Sequence, residues 1–282
     1  MKYGLLGCNV GPFAERAGAR ALALAAEESG FESVWTFEHA VVPGGYESVY
    51  PYSKDGKMPG NGTGSITDPL SWLSFVGAIT EKLVLGTGIL ILPEHNPVLL
   101  AKTCGTVDQL SEGRLLLGIG VGWLREEFDA LGIPWERRTA RTEEYIEAIR
   151  ALWSEEEPSF SGEFVNYSKA RCMPHPYRAG GVPIIVGGHS EAAAVRAGRF
   201  GDGFFPVASP DRLAELFPIM RRAAEEAGRD PESIEITVMG PPPGSGFEEV
   251  YENLGVHRIV APLPTYDPAA ISDKLAEMGS TI

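Results

Sequence analysis

Runs of apolar residues alternate with segments of helical periodicity along almost the whole chain. In the clearest unit, an apolar run over residues 83–92 stops at a proline, a helix begins at Asn96 and Pro97, and a second apolar run covers residues 114–121. Runs that are apolar at consecutive positions are typical of parallel strands that helices cover on both faces. This stretch therefore predicts a strand–helix–strand unit within a parallel sheet.

The same alternation continues until it gives eight strands and eight helical segments. The predicted strands cover residues 3–8, 33–37, 83–92, 114–121, 182–186, 203–207, 234–239 and 257–261. The predicted helices begin near residues 12, 67, 96, 123, 190, 209, 247 and 267. This order and the length of 282 residues predict an α/β fold, a (β/α)8 TIM barrel that forms one domain over residues 1–282. An open doubly wound sheet is the alternative, but the glycines of residues 118–122 lack the spacing and the downstream acid of a dinucleotide fingerprint.

Two segments do not fit the alternation. Residues 40–65 are rich in Gly, Pro, Tyr and Ser, and residues 154–181 look like an irregular insertion. Loops of this length inside a compact domain usually act as lids or binding loops, or are disordered. We predict that residues 40–65 form an active-site loop.

Charge and composition narrow the classes of partner. A formal net charge of −14 argues against nucleic acid and against an anionic membrane surface, since both attract Lys and Arg. Three widely spaced cysteines and five scattered histidines predict neither a disulfide framework nor a metal site. No apolar run is long enough for a signal peptide or a membrane span, so we expect a cytoplasmic protein that acts on a small molecule.

Function in such barrels lies at the carboxyl ends of the strands. Cys8, Glu38, His39, Trp123 and the glycine-rich strand ends occupy these positions. No lysine closes a strand, which argues against Schiff-base chemistry. Cys8 is interpreted as a small buried residue and Trp35 as a core aromatic, whereas Trp123 is a candidate for a pocket wall.

The third and fourth strands end in glycines, which allow a ligand or another backbone to approach closely. We therefore predict that a flat ligand lies against bare backbone there. The candidate contacts are Thr87, Gly88, Ile89, Val121 and Gly122.

The fifth strand leads into Gly187, Gly188, His189 and Ser190, followed by an Ala-rich helix. Ser190 is a candidate N-cap, and the exposed amides of such a helix start attract phosphate. The alternative is a simple capped turn between strand and helix, so the pattern alone leaves both interpretations open.

Glu38 and His39 follow the second strand. The ordinary pKa of His, about 6.5, suits proton transfer near neutral pH. The adjacent carboxylate would orient the imidazole or bind a ligand. The alternative is that one of the two residues caps the following loop.

Three segments resemble the bacterial luciferase-like monooxygenase superfamily: FEHAVVP at 37–43, residues 67–123 (TDPLSW to GIGVGW), and VPIIVGGHSEAAAVRAGRFGDGFF at 182–205. The similarity covers nearly the whole chain. It is greatest to members assigned to the deazaflavin coenzyme F420 rather than to FMN, and YPYSKDG at 50–56 contributes to this.

The resemblance implies a (β/α)8 barrel with an acid–His pair beside the reactive ring, here Glu38 and His39. It also implies a non-prolyl cis peptide against the ring at Gly88–Ile89, contact of Val121 and Gly122 with the ring, and a cofactor phosphate at residues 187–190. Relatives commonly form homodimers, and a reductase supplies reduced cofactor to the flavin-dependent ones.

One position departs from the family. The branch that oxidises a sugar phosphate has a glutamate where this chain has Trp123, and its cationic set for the substrate phosphate is not evident. The resemblance therefore implies an F420-dependent oxidoreductase with a less polar substrate pocket. An FMN-dependent monooxygenase and a non-catalytic barrel that binds a phosphorylated ligand are the alternatives.

Overall fold

The computed structural model describes the backbone of residues 1–282 and all side chains except that of Asn61. Eight parallel strands close into a barrel because the third pairs with the fourth, through Leu85 with Leu115, and the first pairs with the last. The barrel strands are β1 Lys2–Leu6, β2 Ser33–Thr36, β3 Val84–Thr87, β5 Leu115–Gly120, β8 Ile184–Gly187, β9 Gly203–Phe205, β10 Glu235–Met239 and β11 Arg258–Pro262. The predicted barrel is thereby confirmed, and the open sheet is excluded.

Helices surround the barrel. They are α1 Arg16–Glu28, α2 Pro69–Gly77, α3 Pro97–Leu110, α4 Arg125–Leu131, α5 Arg138–Ser154, α6 Glu191–Phe200, α7 Pro210–Glu226, α8 Glu248–Asn253 and α9 Ile271–Gly279. Side chains cap several of their starts, as at Asp68, Asn96, Ser190 and Ser209. Each of these four accepts a hydrogen bond from a first-turn amide, which accounts for the predicted helix starts. Within the described residues, every helix is too short or too polar to cross a bilayer.

Two predicted segments differ in detail. The apolar run at residues 83–92 is divided into β3 and a short strand β4, Leu90–Ile91, with the peptide bond Gly88–Ile89 between them in the cis configuration. This agrees with the cis bond that the resemblance implied. The insertion at residues 154–181 is not wholly irregular, since β6 Phe160–Ser161 and β7 Asn166–Tyr167 form a small antiparallel hairpin.

The barrel interior is filled by inward-facing side chains from several strands. Trp35 is fully buried there and donates its indole N–H to the Ser33 hydroxyl at 2.9 Å. Phe205 lies edge-on to Trp35 with ring centroids 5.2 Å apart. The remaining members of this interior cluster are Leu6, Leu116, Ile185 and Val260. The interpretation of Trp35 as a core aromatic is correct, and the residue closes the barrel below its mouth.

Arg258 plugs the opposite end of the barrel, where the strands begin. Its side chain is 2% exposed and donates to Glu32 at 2.6 and 2.7 Å, to Glu235, and to the Thr237 hydroxyl at 3.0 Å. The guanidinium also lies 5.6 Å from the Trp35 ring. Since it joins the starts of three strands, Arg258 stabilises the barrel at the end remote from the mouth.

We predict that Arg258→Met destabilises the protein by about 3 kcal/mol, because it removes the buried cation from Glu32 and Glu235 and leaves them only the half-exposed Lys2, 4.0 and 3.0 Å away. Equilibrium unfolding in urea measures the change. Arg221→Met is the matched control, since that side chain is 42% exposed and lies 3.7 Å from Glu232, and it should change stability by less than about 0.5 kcal/mol. Equal effects of the two substitutions would contradict the assigned role of Arg258.

Candidate active site at the barrel mouth

The carboxyl ends of the strands bring the predicted site residues to one mouth. Ile89 lies at its centre, because a Cβ atom placed on Gly120 would meet Ile89 Cδ1 at 2.0 Å and one on Gly187 would meet Ile89 Cγ2 at 2.5 Å. Gly88 and Ile89 form a ridge beside these strand ends. Behind this ridge, Trp35 and Phe205 lie 3.3 Å from a Cβ atom placed on Gly88. Gly88 and Ile89 remain partly exposed, so the ridge presents backbone and one aliphatic side chain to the mouth.

Other predicted contacts hold the shape of the mouth. Thr87 is buried, and its hydroxyl donates to the Gly118 carbonyl at 2.7 Å, across the seam between β3 and β5. Gly122 has a φ of +81°, and a Cβ there would lie 2.7 Å from Phe128. Val121 and Gly122 are partly exposed just beyond β5. Glycine is required at 122 by the turn itself, whether or not a ligand approaches.

The turn after β8 has the geometry of an anion site. Gly188 has a φ of +123°, which turns the chain sharply into α6, and Ser190 caps the helix by accepting from the Ala193 amide at 3.2 Å. The amides of residues 190–192 have no acceptor among the described residues. Free amides at a helix start attract phosphate without a cationic side chain.

His39 is held by a residue that sequence reasoning missed. Its Nδ1 lies 2.6 Å from Glu127 Oε2, and the two side chains are 8% and 0% exposed. The other oxygen of Glu127 accepts the Val41 amide at 3.1 Å. Because an ionised carboxylate only accepts, the proton is assigned to Nδ1, which leaves Nε2 as the basic nitrogen. The sequence offered one signal for this pairing. Glu127 is a charged residue next to the apolar Phe128, on the buried face of the short helix α4.

Glu38 does not orient His39, which corrects the expectation that this neighbouring carboxylate would do so. It is 8% exposed, accepts the Ile91 amide, and contacts His95 Nε2 at 2.9 Å. Burial lowers the pKa of His95, but the hydrogen bond to Glu38 and its negative charge outweigh burial and raise that pKa. The Glu38 carboxylate thus fixes the chain that follows the Gly88–Ile89 ridge. The carboxylate that pairs with the His39 imidazole comes from α4 and belongs to Glu127.

Aromatic side chains of the loop at residues 40–65 cover this side of the mouth. Trp123 lies edge-on to His39, Tyr46 and Tyr50, with ring centroids 5.7, 5.6 and 5.1 Å apart. Tyr52 extends the cover to His189, which is exposed, at 5.2 Å. Trp123 therefore lies between His39 and the loop, and its place in a pocket wall stays a prediction.

Glu126 fastens the loop to α4. Its carboxylate accepts the Glu47 and Ser48 amides at 2.6 and 3.0 Å and the Ser48 hydroxyl at 2.6 Å. Burial works against its ionisation, but these hydrogen bonds outweigh burial and lower the pKa of Glu126 to about 2. The two adjacent glutamates therefore have different roles. Glu126 anchors the loop of residues 40–65, here called the lid, and Glu127 orients the His39 imidazole.

Cysteine and metal chemistry find no support among the described residues. No group of three or more His, Cys, Asp or Glu side chains is placed there to hold a metal ion. Cys8 is fully buried, its thiol donates to the Leu5 carbonyl at 3.3 Å, and burial raises its pKa to about 12. The site consists of a buried His–Glu pair, a bare ridge, an amide-lined turn and an aromatic lid.

Two proteins are similar to this chain in sequence. An uncharacterised protein of Mycobacterium tuberculosis is 30% identical over 262 residues, which are 91% of this chain and 92% of that protein. An F420-dependent glucose-6-phosphate dehydrogenase of Nakamurella multipartita is 34% identical over 215 residues, which are 74% of this chain and 58% of that longer protein.

Solved structures of other proteins share the fold of this chain. The monooxygenase RslO1 of Streptomyces bottropensis is 26% identical with a TM-score of 0.69, over all of this chain and 80% of that one. An F420-dependent secondary alcohol dehydrogenase, solved with an F420–acetone adduct, has a TM-score of 0.79 at 19% identity over all of this chain and 98% of that one, a likeness that shows the fold alone. The family model for luciferase-like monooxygenases matches residues 9–270. The match confirms the resemblance found in the sequence motifs, and the chain belongs to the luciferase-like monooxygenase family.

Proposed function

We propose that the protein is an F420-dependent oxidoreductase in which His39 transfers the proton that accompanies hydride transfer to or from a small organic substrate. The observation that carries the proposal is the buried His39–Glu127 pair on the same mouth as the bare Gly88–Ile89 ridge. A relative that spans 74% of the chain is named for the same coenzyme. A non-catalytic barrel would have no need of a buried imidazole with one free basic nitrogen.

The residues present fit a deazaflavin. Gly88 and Ile89, together with Val121 and Gly122, would hold the flat ring, since side chains there leave backbone partly exposed. Residues 187–190 would hold the phosphate through the free amides that begin α6. No cationic side chain is required, which suits a chain with a net charge of −14.

The deazaflavin supplies two-electron hydride chemistry when it is bound, and the chain supplies orientation and proton transfer. Glu127 keeps the Nδ1 proton on His39 and aims Nε2 away from α4. Nε2 then accepts a proton from a substrate that is oxidised, or, once protonated, donates one to a substrate that is reduced. The negative charge of Glu127 stabilises the imidazolium, which forms when a substrate is oxidised and is consumed when a substrate is reduced.

The aromatic lid indicates the class of substrate. Trp123 packs edge-on against His39, and Tyr46 and Tyr50 pack edge-on against Trp123. The resemblance implies that the sugar-phosphate branch has an acid at the position of Trp123. Such an enclosure favours an uncharged organic molecule, because a phosphate or carboxylate would lose its hydration without gaining a charged partner. We infer that the substrate is not a sugar phosphate, although a relative is named for one.

Two partners complete the proposal. The exposed apolar side chains Leu99 and Leu110 on α3, which are 68% and 76% exposed, suit pairing of two copies through the barrel flank. A separate reductase would supply reduced cofactor where this protein consumes it. Sedimentation of the purified protein tests the pairing directly.

An FMN-dependent monooxygenase is the second candidate, favoured by the likeness to the monooxygenase RslO1 at 26% identity. The ridge and the phosphate turn suit either ring system. In that case reduced FMN would arrive from a reductase and molecular oxygen would be consumed. Calorimetric titration of the purified protein with F420 and with FMN separates the candidates by affinity, and oxygen consumption separates them by reaction.

We predict that His39→Ala lowers kcat by about 10²–10⁴-fold while the affinity for F420 stays within about twofold of the wild type. The substitution removes the proton-transfer group but leaves the ridge and the phosphate turn intact. Stopped-flow absorbance measures hydride transfer, and fluorescence quenching measures binding. Loss of cofactor affinity instead would assign His39 a structural role.

We predict that Gly188→Ala weakens F420 more than it weakens a deazaflavin that lacks the phosphate. At φ +123° any other residue is strained, and its Cβ would meet Ala193 at 2.9 Å, so the amides of the turn must move. Gly228→Ala is the matched control, since φ is +70° there and nothing lies within 4 Å. Equal weakening of both cofactors would place the phosphate elsewhere.

We predict that Glu126→Gln loosens the lid and raises KM with little change in the rate of hydride transfer. Because the pKa of Glu126 is lowered to about 2 from an ordinary 4.5, its contribution is complete above pH 4.5 and is lost as the pH falls through 2. Limited proteolysis within residues 40–65 measures lid opening at neutral pH. Resistance equal to that of the wild type would show that Glu126 does not hold the loop.

A further inference from the structure

A buried amide side chain joins the chain that leads to His39 with the far end of the lid. Asn9 follows β1 at the mouth and is fully buried. Its Oδ1 accepts the Phe37 amide at 2.8 Å, and its Nδ2 donates to the Phe37 carbonyl at 2.8 Å and to the Thr67 carbonyl at 2.6 Å. Neither the sequence motifs nor the proposed function assigns a role to Asn9.

The contacts of Asn9 require an amide side chain of this length. Both N–H groups of the amide and its oxygen have partners. Since a backbone N–H only donates and a carbonyl only accepts, these partners also fix which way the amide points. An aspartate of the same shape would keep the bond from the Phe37 amide, but it would face two carbonyl oxygens without a proton to donate. A glutamine would carry the same groups one methylene too far.

The backbone around Asn9 extends the contact with the end of the lid. The Thr67 amide donates to the Asn9 carbonyl at 3.1 Å, and the Gly11 amide donates to the Ser65 carbonyl at 2.8 Å. The lid leaves the barrel directly after His39 and returns to it directly before this contact. The side chain and the backbone of Asn9 therefore close the base of the lid.

The segment that Asn9 holds lies between the ridge and the residue proposed to transfer the proton. The Thr36 carbonyl, one residue before Phe37, accepts the Gly88 amide at 2.7 Å. Two residues after Phe37, the side chain of His39 turns toward α4 and pairs with its carboxylate at 2.6 Å. Asn9 thus fixes the backbone between the surface proposed for the ring and the imidazole.

We propose that Asn9 is a positioning residue of this site, which holds His39 in place relative to the ridge and closes the base of the lid. The inference rests on the proposed function, in which His39 handles the substrate proton. Among the described residues, the hydrogen bonds of the Asn9 side chain reach only Phe37 and Thr67, so Asn9 acts on His39 through the backbone. Because one amide holds both ends of the lid, the lid opens at its tip while its base and His39 stay in place.

The first test needs no cofactor. Asn9→Asp keeps the shape of the side chain but loses both donated hydrogen bonds, so amides at the two ends of the lid should exchange with solvent about tenfold faster or more. Asn96→Asp is the matched control, because Asn96 only accepts hydrogen bonds from two first-turn amides, which an aspartate accepts equally well. Mass spectrometry of peptides that cover residues 37–41 and 63–67 measures the exchange. Exchange equal to that of the control would overturn the inference.

The second test is a double-mutant cycle with His39, measured by turnover with F420 and an oxidisable substrate. Asn9→Asp should lower kcat about tenfold or more, since a misplacement of about 1 Å costs about 10²-fold, while the affinity for F420 stays within about twofold. In a His39→Ala background the same substitution should lower the remaining kcat by less than about twofold, because no imidazole is left to position. Equal losses in the two backgrounds would show that Asn9 only supports the fold and would overturn the inference.

Asn9→Ser guards against misfolding of the aspartate variant. Serine is small and neutral, and its one hydroxyl proton serves at most one of the two carbonyls, so faster exchange at the lid base and a lower kcat are expected here too. Exchange and kcat equal to those of the wild type would refute the inference and leave the proposed function intact. If the wild-type protein turns over no substrate with F420 or FMN, the proposed function fails, and the role of Asn9 at that site fails with it even where exchange at the lid base is faster.

Discussion

The candidate active site depends on one contact, the hydrogen bond between the buried carboxylate of Glu127 and His39. Glu127 also accepts the amide of Val41, the second residue of the lid, so one carboxylate fixes both the imidazole and the start of the loop over it. A fully buried carboxylate is costly unless both oxygens are satisfied, and here each oxygen has a partner. The short helix α4, the end of β2 and the lid are therefore coupled: the lid can be re-anchored only by a change that also disturbs the imidazole.

The glycines at the mouth are required by packing within the chain, whether or not a ligand binds there. Gly120 and Gly187 leave the space that Ile89 fills, so the strand ends are bare where a neighbouring side chain crosses them. Ile89 fills the gaps between these strand ends and leaves part of its aliphatic side chain exposed at the mouth. A planar ring suits such a surface, since contact over a whole face needs no polar side chain. Packing of the barrel and recognition of a flat ligand thus make the same demand on sequence.

The sequence predicted the parts that follow local rules. Consecutive apolar positions gave the strands, and caps at Asp68, Asn96, Ser190 and Ser209 gave the helix starts, because each of these signals acts within a few residues. The partners of Glu38 and His39 were beyond its reach. Adjacent side chains on an extended chain point to opposite sides, so Glu38 turned toward His95 and His39 toward Glu127, which is 88 residues away. Such pairings join residues far apart in sequence when the barrel closes, so they cannot be predicted from the local sequence pattern.

The distribution of acids ties the mouth to the rest of the molecule. The chain carries a net charge of −14, yet three acids at the mouth are each engaged by a donor: Glu126 by amides, and Glu127 and Glu38 by imidazoles. Trp123 packs edge-on against His39, with ring centroids 5.7 Å apart. Negative charge is thereby kept behind the aromatic surface rather than on it. Under the proposed function, neutral aromatic side chains in front of these engaged carboxylates suit a substrate that brings no charge of its own and exchanges a single proton with the imidazole.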